Sequence, residues 1–355
     1  MLANTFKWSL LFVIFPLALL LSGCMVGPDF VKPDAQVEEG WLQQHNQKIK
    51  SEPADLSEWW SVFNDPVLDN LIEIASRQNL DLQNAGLRIL EARAQLGIAV
   101  GFQYPQTQQI GGEANANQLS ENAPNGAGAD KFFYNYQLGF DAAWELDFWG
   151  RFRRGVESAN ASLYTSLADY DDILVSLIAE VARTYFDIRT FEQRLVFARE
   201  NVVHQEDSLD IAAARFEFGA ESELDVSQAK ALLKQTQATI PPLEASLRQA
   251  KNALAILLGI LPTEVQDILG PPKPIPTVPI EVAVGIPAEL LRRRPDIRLA
   301  EFQAAVQSAQ IGIAKADLYP SFSLVGSIGL QSSDKGGVRS NSADFSDLFT
   351  SGGIT

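Results

Sequence analysis

Apolar residues recur at a spacing of seven along the middle of the chain. Leu174, Val181, Ile188, Leu195, Val202, Leu209 and Phe216 form one unbroken line. No proline interrupts the stretch between Trp149 and Pro241, so the pattern predicts one helix over Arg151 to Glu217, about 100 Å long at 1.5 Å per residue. A seven-residue period imposes a left-handed supercoil on packed helices. A turn at Phe218-Gly219-Ala220-Glu221-Ser222 follows. The period then resumes in two lines, Val226, Leu233, Ile240, Leu247 and Leu254 beside Ala229, Thr236, Leu243, Ala250 and Leu257. This second helix, Ser222 to Leu258, is expected to kink or break at Pro241-Pro242. Heptads alone do not separate a coiled hairpin from an ordinary bundle; the length of the first helix favours the hairpin.

A second periodicity is a repeat. Asp81 to Pro105 aligns without gaps onto Asp296 to Pro320 at an offset of 215, with identity at Asp81, Ala85, Ala94, Gln95, Gly97, Ile98, Ala99, Tyr104 and Pro105. Each copy reads as an Ala-rich helix, Asn79 to Tyr104 and Asp296 to Tyr319, stopped by proline. The period then drops to two. Phe322, Leu324, Ile328 and Leu330 alternate with polar or small residues, as do Tyr134, Tyr136, Leu138 and Phe140 between Asn135, Gln137, Gly139 and Asp141. Polar, Gly-containing stretches at Ser120 to Lys131 and Ser332 to Asp344 read as hairpin loops. Strands of about ten residues with one apolar face, bounded by Trp144, Phe148 and Trp149, fit a transmembrane barrel, although a soluble sandwich edge shows the same alternation.

The first residues carry the candidate chemistry. Lys7 precedes an apolar run from Trp8 to Leu21, some 14 residues broken by Pro16. A membrane helix needs about 20, so the run predicts a cleaved signal peptide over residues 1–23. Cys24 is the only cysteine, which excludes an internal disulfide, and it sits at the exit of that run in Leu21-Ser22-Gly23-Cys24. The pattern resembles a bacterial lipobox, which implies that the thiol is acylated. Met25 stands where an inner-membrane retention signal would place aspartate, so the same resemblance implies outer-membrane sorting.

Composition narrows the remaining classes. With 46% hydrophobic residues among 355, the chain can build a sizeable core. A net charge of −16 argues against a nucleic-acid partner. The chain contains no P-loop, no dinucleotide-binding glycine fingerprint and no HExxH zinc motif, so neither an enzyme, a cofactor nor a metal site is expected. The two histidines, His45 and His204, lie apart without ligand spacing.

Taken in order, the motifs resemble the outer-membrane factor (TolC-like) family, in its lipid-anchored OprM/NodT-type branch. The residues concerned are Cys24 and Val26-Gly27-Pro28-Asp29-Phe30; Trp59-Trp60, Phe63, Asp65-Pro66, Leu68 and Leu71-Ile72; Trp144-Glu145-Leu146-Asp147-Phe148-Trp149-Gly150-Arg151; Arg292-Arg293-Arg294-Pro295-Asp296-Ile297; and Tyr319-Pro320-Ser321. The resemblance implies a mixed α and β membrane protein in which two repeats each give a transmembrane β-hairpin and a long coiled α-hairpin. It also implies a homotrimer, with one 12-stranded β-barrel standing on an α-helical barrel. The implied function is a passive exit duct that carries small molecules from a periplasmic adaptor and an inner-membrane pump, of RND type, across the outer-membrane lipid. Export of a protein or a metal ion stays open, as does a pore-free lipid-anchored coiled-coil scaffold, for which the strands would have no use. At the turn between the coiled helices, Arg215, Gly219, Ser222, Leu224, Asp225 and Val226 match the family's adaptor-docking pattern. Gly219, Ser222 and Asp225 could equally serve as ordinary helix stops and caps.

The expected organisation is a signal peptide (1–23), a lipidated extended segment (24–55), a first repeat (56–260, with its β-hairpin at 105–147 and coiled α-hairpin at 151–258), a Pro-rich equatorial linker (261–291) and an incomplete second repeat (292–355, with a strand at 320–332). At an offset of 215, Leu258 would map to 473, so about 120 further residues would complete the second copy, including the family's main gate.

Overall fold

The computed structural model describes residues 25–34, 37, 49–50, 57–120, 131–277, 282–283, 287–333 and 349–354. The helices are α1 (Pro66–Gln78), α2 (Leu80–Gly101), α3 (Arg151–Glu217), α4 (Glu223–Ala238), α5 (Ile240–Leu258), α6 (Pro262–Leu269), α7 (Pro287–Arg293) and α8 (Pro295–Ala316). The strands are β1 (Ile49–Lys50), β2 (Thr107–Gln118), β3 (Phe132–Leu146), β4 (Val282–Ala283), β5 (Phe322–Ser333) and β6 (Phe349–Ile354). They fall into two compact units, one of residues 1–33, 90–165 and 300–355, the other of residues 34–89 and 166–299.

The first unit holds a four-stranded sheet in the order β2-β3-β5-β6, antiparallel throughout. Element bounds recur at the offset of the sequence repeat: α2 to α8 and β2 to β5 are each displaced by 215 at both ends (80 to 295 and 101 to 316; 107 to 322 and 118 to 333). Both helices stop three residues earlier than expected, at Gly101 and Ala316 rather than Tyr104 and Tyr319. The chain tightens first: Gln103 and Tyr104 donate to Val100 and Gly101, and Leu318 and Tyr319 to Lys315 and Ala316, all at a spacing of three that leaves no helical donor owed by the proline.

The segment Trp144 to Arg151 turns β3 into α3. The Asp147 carboxylate accepts from Phe152 N (3.1 Å) and Arg153 N (2.9 Å), two of the donors that a helix start leaves without partners. Arg153 returns Nε to the same carboxylate at 3.2 Å and Nη2 to the Asp147 carbonyl at 3.0 Å. Trp144 Nε1 donates to the Gln103 carbonyl and Trp149 Nε1 to that of Pro320, so the end of each repeat helix is tied to the base of the sheet.

The second unit is a helical core. Leu68, Leu71, Ile72 and Ala75 of α1 pack with Leu177, Val181, Ala182, Tyr185 and Ile188 of α3, Leu254, Ala255 and Leu258 of α5, and Val265 and Leu269 of α6. Asp65 caps α1 through Val67 N (2.9 Å), with Pro66 at the first helical position. Asn79 closes α1 and opens α2, accepting from Leu82 N at 2.9 Å while it donates to the Leu257 carbonyl at 3.0 Å.

In this unit α3 runs antiparallel to α4 and α5. Glu192 faces Lys251 (3.7 Å), Arg199 faces Glu244 (3.0 Å) and Glu206 faces Gln237 (3.4 Å), so each step of seven along α3 matches a step of seven backwards along its partner. That is the spacing of a left-handed coiled pair. The apolar line is buried at Val181, Ile188 and Leu195, half-buried at Val202 and Leu209, and exposed at Phe216. The helix expected over Ser222 to Leu258 is two helices parted at Thr239, because the rings of Pro241 and Pro242 crowd the carbonyls four residues before them. The stretch 261–291, read from sequence as a linker, contains α6, whose Val265 and Leu269 lie one turn apart and are fully buried.

One buried cation organises this core. Arg189, fully buried, donates to Glu192 (2.8 Å) and to the Leu269 carbonyl (2.9 Å) at the carboxyl end of α6, where the helix dipole favours a positive charge. Its guanidinium lies 5.0 Å over the Tyr185 ring, and the Tyr185 hydroxyl donates to Asp65. Burial, with that bond to Asp65, pushes the Tyr185 phenol up to about 12 against the pull of Arg189. Replacement of Arg189 by Met should cost about 3 kcal/mol or more, because Glu192 stays buried with Lys251 alone as a distant partner. Chemical denaturation of the purified protein measures this, and a midpoint unchanged from wild type would refute it.

Candidate functional site: a two-faced sheet and an exposed turn

The constant register of the first unit's sheet sorts its side chains. Phe140 lies between Ile110 and Ile328, Leu138 between Gly112 and Leu330, and Tyr136 between Ala114 and Ser332, while Trp144 pairs with Leu324 and Leu146 with Phe322. Directly paired residues share a face. One face therefore carries Ile110, Tyr134, Tyr136, Leu138, Phe140, Phe322, Leu324, Ile328 and Leu330, all of them exposed. The opposite face carries Gln109, Glu113, Asn115, Asn135, Gln137, Asp141, Ser327 and Gln331, with Gln331 donating to Asn135 across strands at 3.1 Å. Val325 and Phe133 are the large apolar exceptions there. All eight strand residues singled out from the sequence, in β3 and β5, lie on the apolar face.

Aromatic rings bound that face at both ends. At one end of β3 Phe132 meets Tyr134 edge-to-face at 5.2 Å, and Tyr134 stacks on Tyr136 at 6.5 Å. At the other, Phe148 meets Phe322 at 5.2 Å and Trp149 stacks on Tyr319 at 4.5 Å. From Tyr134 to Trp144 the strand advances about 33 Å; at the tilt of about 40° usual for outer-membrane strands, this becomes about 25 Å, the height of their apolar band. Among the described residues no single helix is long and apolar enough to cross a membrane.

The second unit holds the turn between α3 and α4. Gly219 N donates to Phe216 O (2.9 Å) and Ala220 N to Arg215 O (2.8 Å), the paired bonds of a Schellman stop, with Gly219 at φ +72°. Arg215 reaches Glu221 at 3.0 Å. The Ser222 amide and hydroxyl both donate to Asp225 Oδ2, at 2.9 and 2.6 Å, and the hydroxyl bond above all holds this carboxyl below its ordinary range. Val226 is half-buried. Four of the six residues expected at the docking turn thus have local structural roles. Leu224 has none and is 64% exposed. Phe218, absent from the sequence-derived set, is 85% exposed beside it; its signal was a large apolar residue between Glu217 and the helix-stopping Gly219.

Cys24 lies outside the described residues, which begin at Met25. His204 is exposed on α3, and among the described residues no group of three His, Cys, Asp or Glu side chains could hold a metal ion.

Known proteins share this architecture. The outer membrane efflux protein family matches residues 71–260 and 286–351. Nodulation protein T of Rhizobium leguminosarum bv. trifolii is 33% identical over 327 residues, which cover 91% of this chain and 67% of that protein. The pyoverdine export outer membrane protein OpmQ of Pseudomonas putida is 30% identical over 88% of this chain and 66% of its own length. The chain thus spans about two thirds of the length of the curated relatives that it matches. The solved structure of the outer-membrane channel OprN superposes with a TM-score of 0.84 at 33% identity, covering 94% of this chain and 72% of that one. The match over most of the sequence and fold means that the chain belongs to the outer membrane efflux protein family and is a protein of the outer membrane.

Proposed function

We propose that this chain is a subunit of the exit duct of a tripartite efflux system, passing small molecules outward from a periplasmic adaptor and an inner-membrane pump of RND type. The observation that carries the reading is the two-faced sheet: an exposed apolar face about 25 Å high between aromatic rings suits lipid, and the polar face behind it suits an aqueous lumen. Relatives described as a pyoverdine export protein and a toluene efflux pump outer membrane protein, both of Pseudomonas putida, support the direction and the class of cargo. Four strands leave two open edges, and hydrocarbon does not tolerate unpaired backbone groups. Three copies, closing a 12-stranded barrel, satisfy both edges. Cys24 carries the acyl anchor, and the duct performs no chemistry of its own.

The two faces make opposite demands. Leu138→Arg should cost about 2–4 kcal/mol at mid-membrane depth and abolish heat-resistant trimers in the outer membrane. Gln137→Arg, one residue away on the polar face, should leave trimers intact and shift ion selectivity in planar bilayers. Equal tolerance of both substitutions would overturn the barrel reading.

At the turn, Leu224 and Phe218 are proposed to meet the adaptor, since exposed apolar side chains of that size gain little until a partner covers them. Leu224→Glu with Phe218→Glu should abolish efflux and adaptor crosslinking while trimers persist. Asp225→Asn should instead loosen only the start of α4. Because its carboxyl titrates below the ordinary range, the wild-type cap is fully present above that range and is lost only as pH falls through the depressed value. Amide exchange at residues 222–226 reads the cap, and wild-type efflux in the Leu224/Phe218 variant would refute the docking assignment.

A further inference from the structure

Arg154 stands one turn into α3, yet its side chain is 1% exposed. Glu157, one turn on, takes one nitrogen at 2.6 Å. The others reach the segment that follows Cys24: Nε donates to the Val26 carbonyl (3.2 Å), and Nη2 to the Gly27 carbonyl (3.2 Å) and to Asp29 Oδ1 (2.8 Å). Val26 N donates in turn to the Trp149 carbonyl at 3.0 Å, so Val26 is bonded through both its amide and its carbonyl. The bonds to Asp29 and Glu157 are charge-assisted, with the guanidinium buried and the Asp29 carboxylate facing solvent.

Glycines provide the space for it. A Cβ on Gly27, at φ +97°, would lie 2.4 Å from the Gly312 Cα; one on Gly312 would meet the Arg154 side chain at 2.8 Å; one on Gly150 would lie 2.5 Å from Met25 Cγ. A Cβ on Gly97, the counterpart of Gly312 in the first repeat, would meet nothing within 4 Å, so among the described residues the seat belongs to the second copy. The segment also has a direction. Gly27 packs on Gly312, and Lys32 Nζ meets Glu301 at 2.5 Å, so five residues of strap advance past 11 residues of α8. Five extended residues reach at most about 17 Å, and 11 helical residues rise about 16 Å. The two spans are compatible, so the strap runs along α8, antiparallel to it. Its N-terminal end points towards the carboxyl end of that helix, where Tyr319 stacks on Trp149.

We infer that Arg154 is a positioning residue for the acyl anchor, an inference that rests on the proposed acylation of Cys24. The strap seats Met25, the residue that follows Cys24, against Gly150, next to Trp149 and the Tyr319 ring stacked on it. Rings of that kind settle at the headgroup boundary, so the acyl chains leave the protein at the depth where they enter the leaflet.

Hydrogen exchange read by mass spectrometry on the acylated protein extracted from outer membranes tests this, comparing wild type with Arg154→Met and Gly27→Ala. In both variants the peptide spanning residues 24–30 should exchange at least about tenfold faster, with the α3 peptide over 151–165 and the trimer unchanged. A fluorophore on Val31→Cys, a position 79% exposed, should show shifted quenching by headgroup-labelled lipid in both variants. Wild-type exchange at 24–30 in either variant would overturn the strap. Loss of protection in α3 with Gly27→Ala, which alters no side chain of α3, would make Arg154 an ordinary core residue and overturn its positioning role. The mass of the same peptide reports the acyl group: an unmodified Cys24 in wild type would remove the anchor itself, whatever the exchange rates.

Discussion

Strand register is the constraint on which the molecule depends. Side chains alternate with period two, so the pairing of Phe140 with Ile110 and Ile328 places every even-numbered residue of β2, β3 and β5 on one face. A slip of one residue between β3 and β5 would set Leu138 and Phe140 beside Gln331 and Gly329 and destroy both surfaces. Register is itself held at the base of the sheet. The Gln106 side chain pairs with the Glu145 backbone in both directions, Oε1 accepting at 2.8 Å and Nε2 donating at 3.3 Å, just where the ladder begins.

Two buried arginines on α3 do comparable work in the two units. Arg189 draws the end of α6 onto the helical core, and Arg154 draws the strap onto the base of α3. In each case a guanidinium satisfies backbone carbonyls that have no ladder or helix partner, a task suited to five donors fixed in a plane. Each is balanced by a glutamate one turn further along, Glu192 or Glu157, so the buried charge is paired within its own helix before it reaches outward.

In the turn between α3 and α4, structural duties and the proposed recognition role divide over a dozen residues. Gly219, Ser222 and Asp225 close one helix and open the next with backbone and carboxylate bonds, and Arg215 with Glu221 braces the loop. Because these residues hold the backbone, Phe218 and Leu224 project without support from neighbours of their own. A rigid turn that presents two apolar side chains suits binding, since little conformational freedom remains to be lost.

The sequence by itself determined the periods. Seven-residue spacing marked α3 to its first and last residues, alternation marked the strands and the face that each side chain would take, the offset of 215 predicted equal elements in both copies, and Pro241-Pro242 marked the break between α4 and α5. These are local properties, written in the order of residues along one element. What only the tertiary structure decided is which distant residues meet. Nothing in the run Trp149 to Arg154 marks the third arginine as buried, because an arginine reads as a surface residue until the carbonyls of Val26 and Gly27 are brought to it from 128 and 127 residues away. Gly312 reads as a helix glycine like Gly97 until the strap lies against it, and Tyr185 reads as one more core aromatic until Asp65 and Arg189 flank its hydroxyl and ring. Period is set by the geometry of a single element, whereas partnership depends on how elements pack.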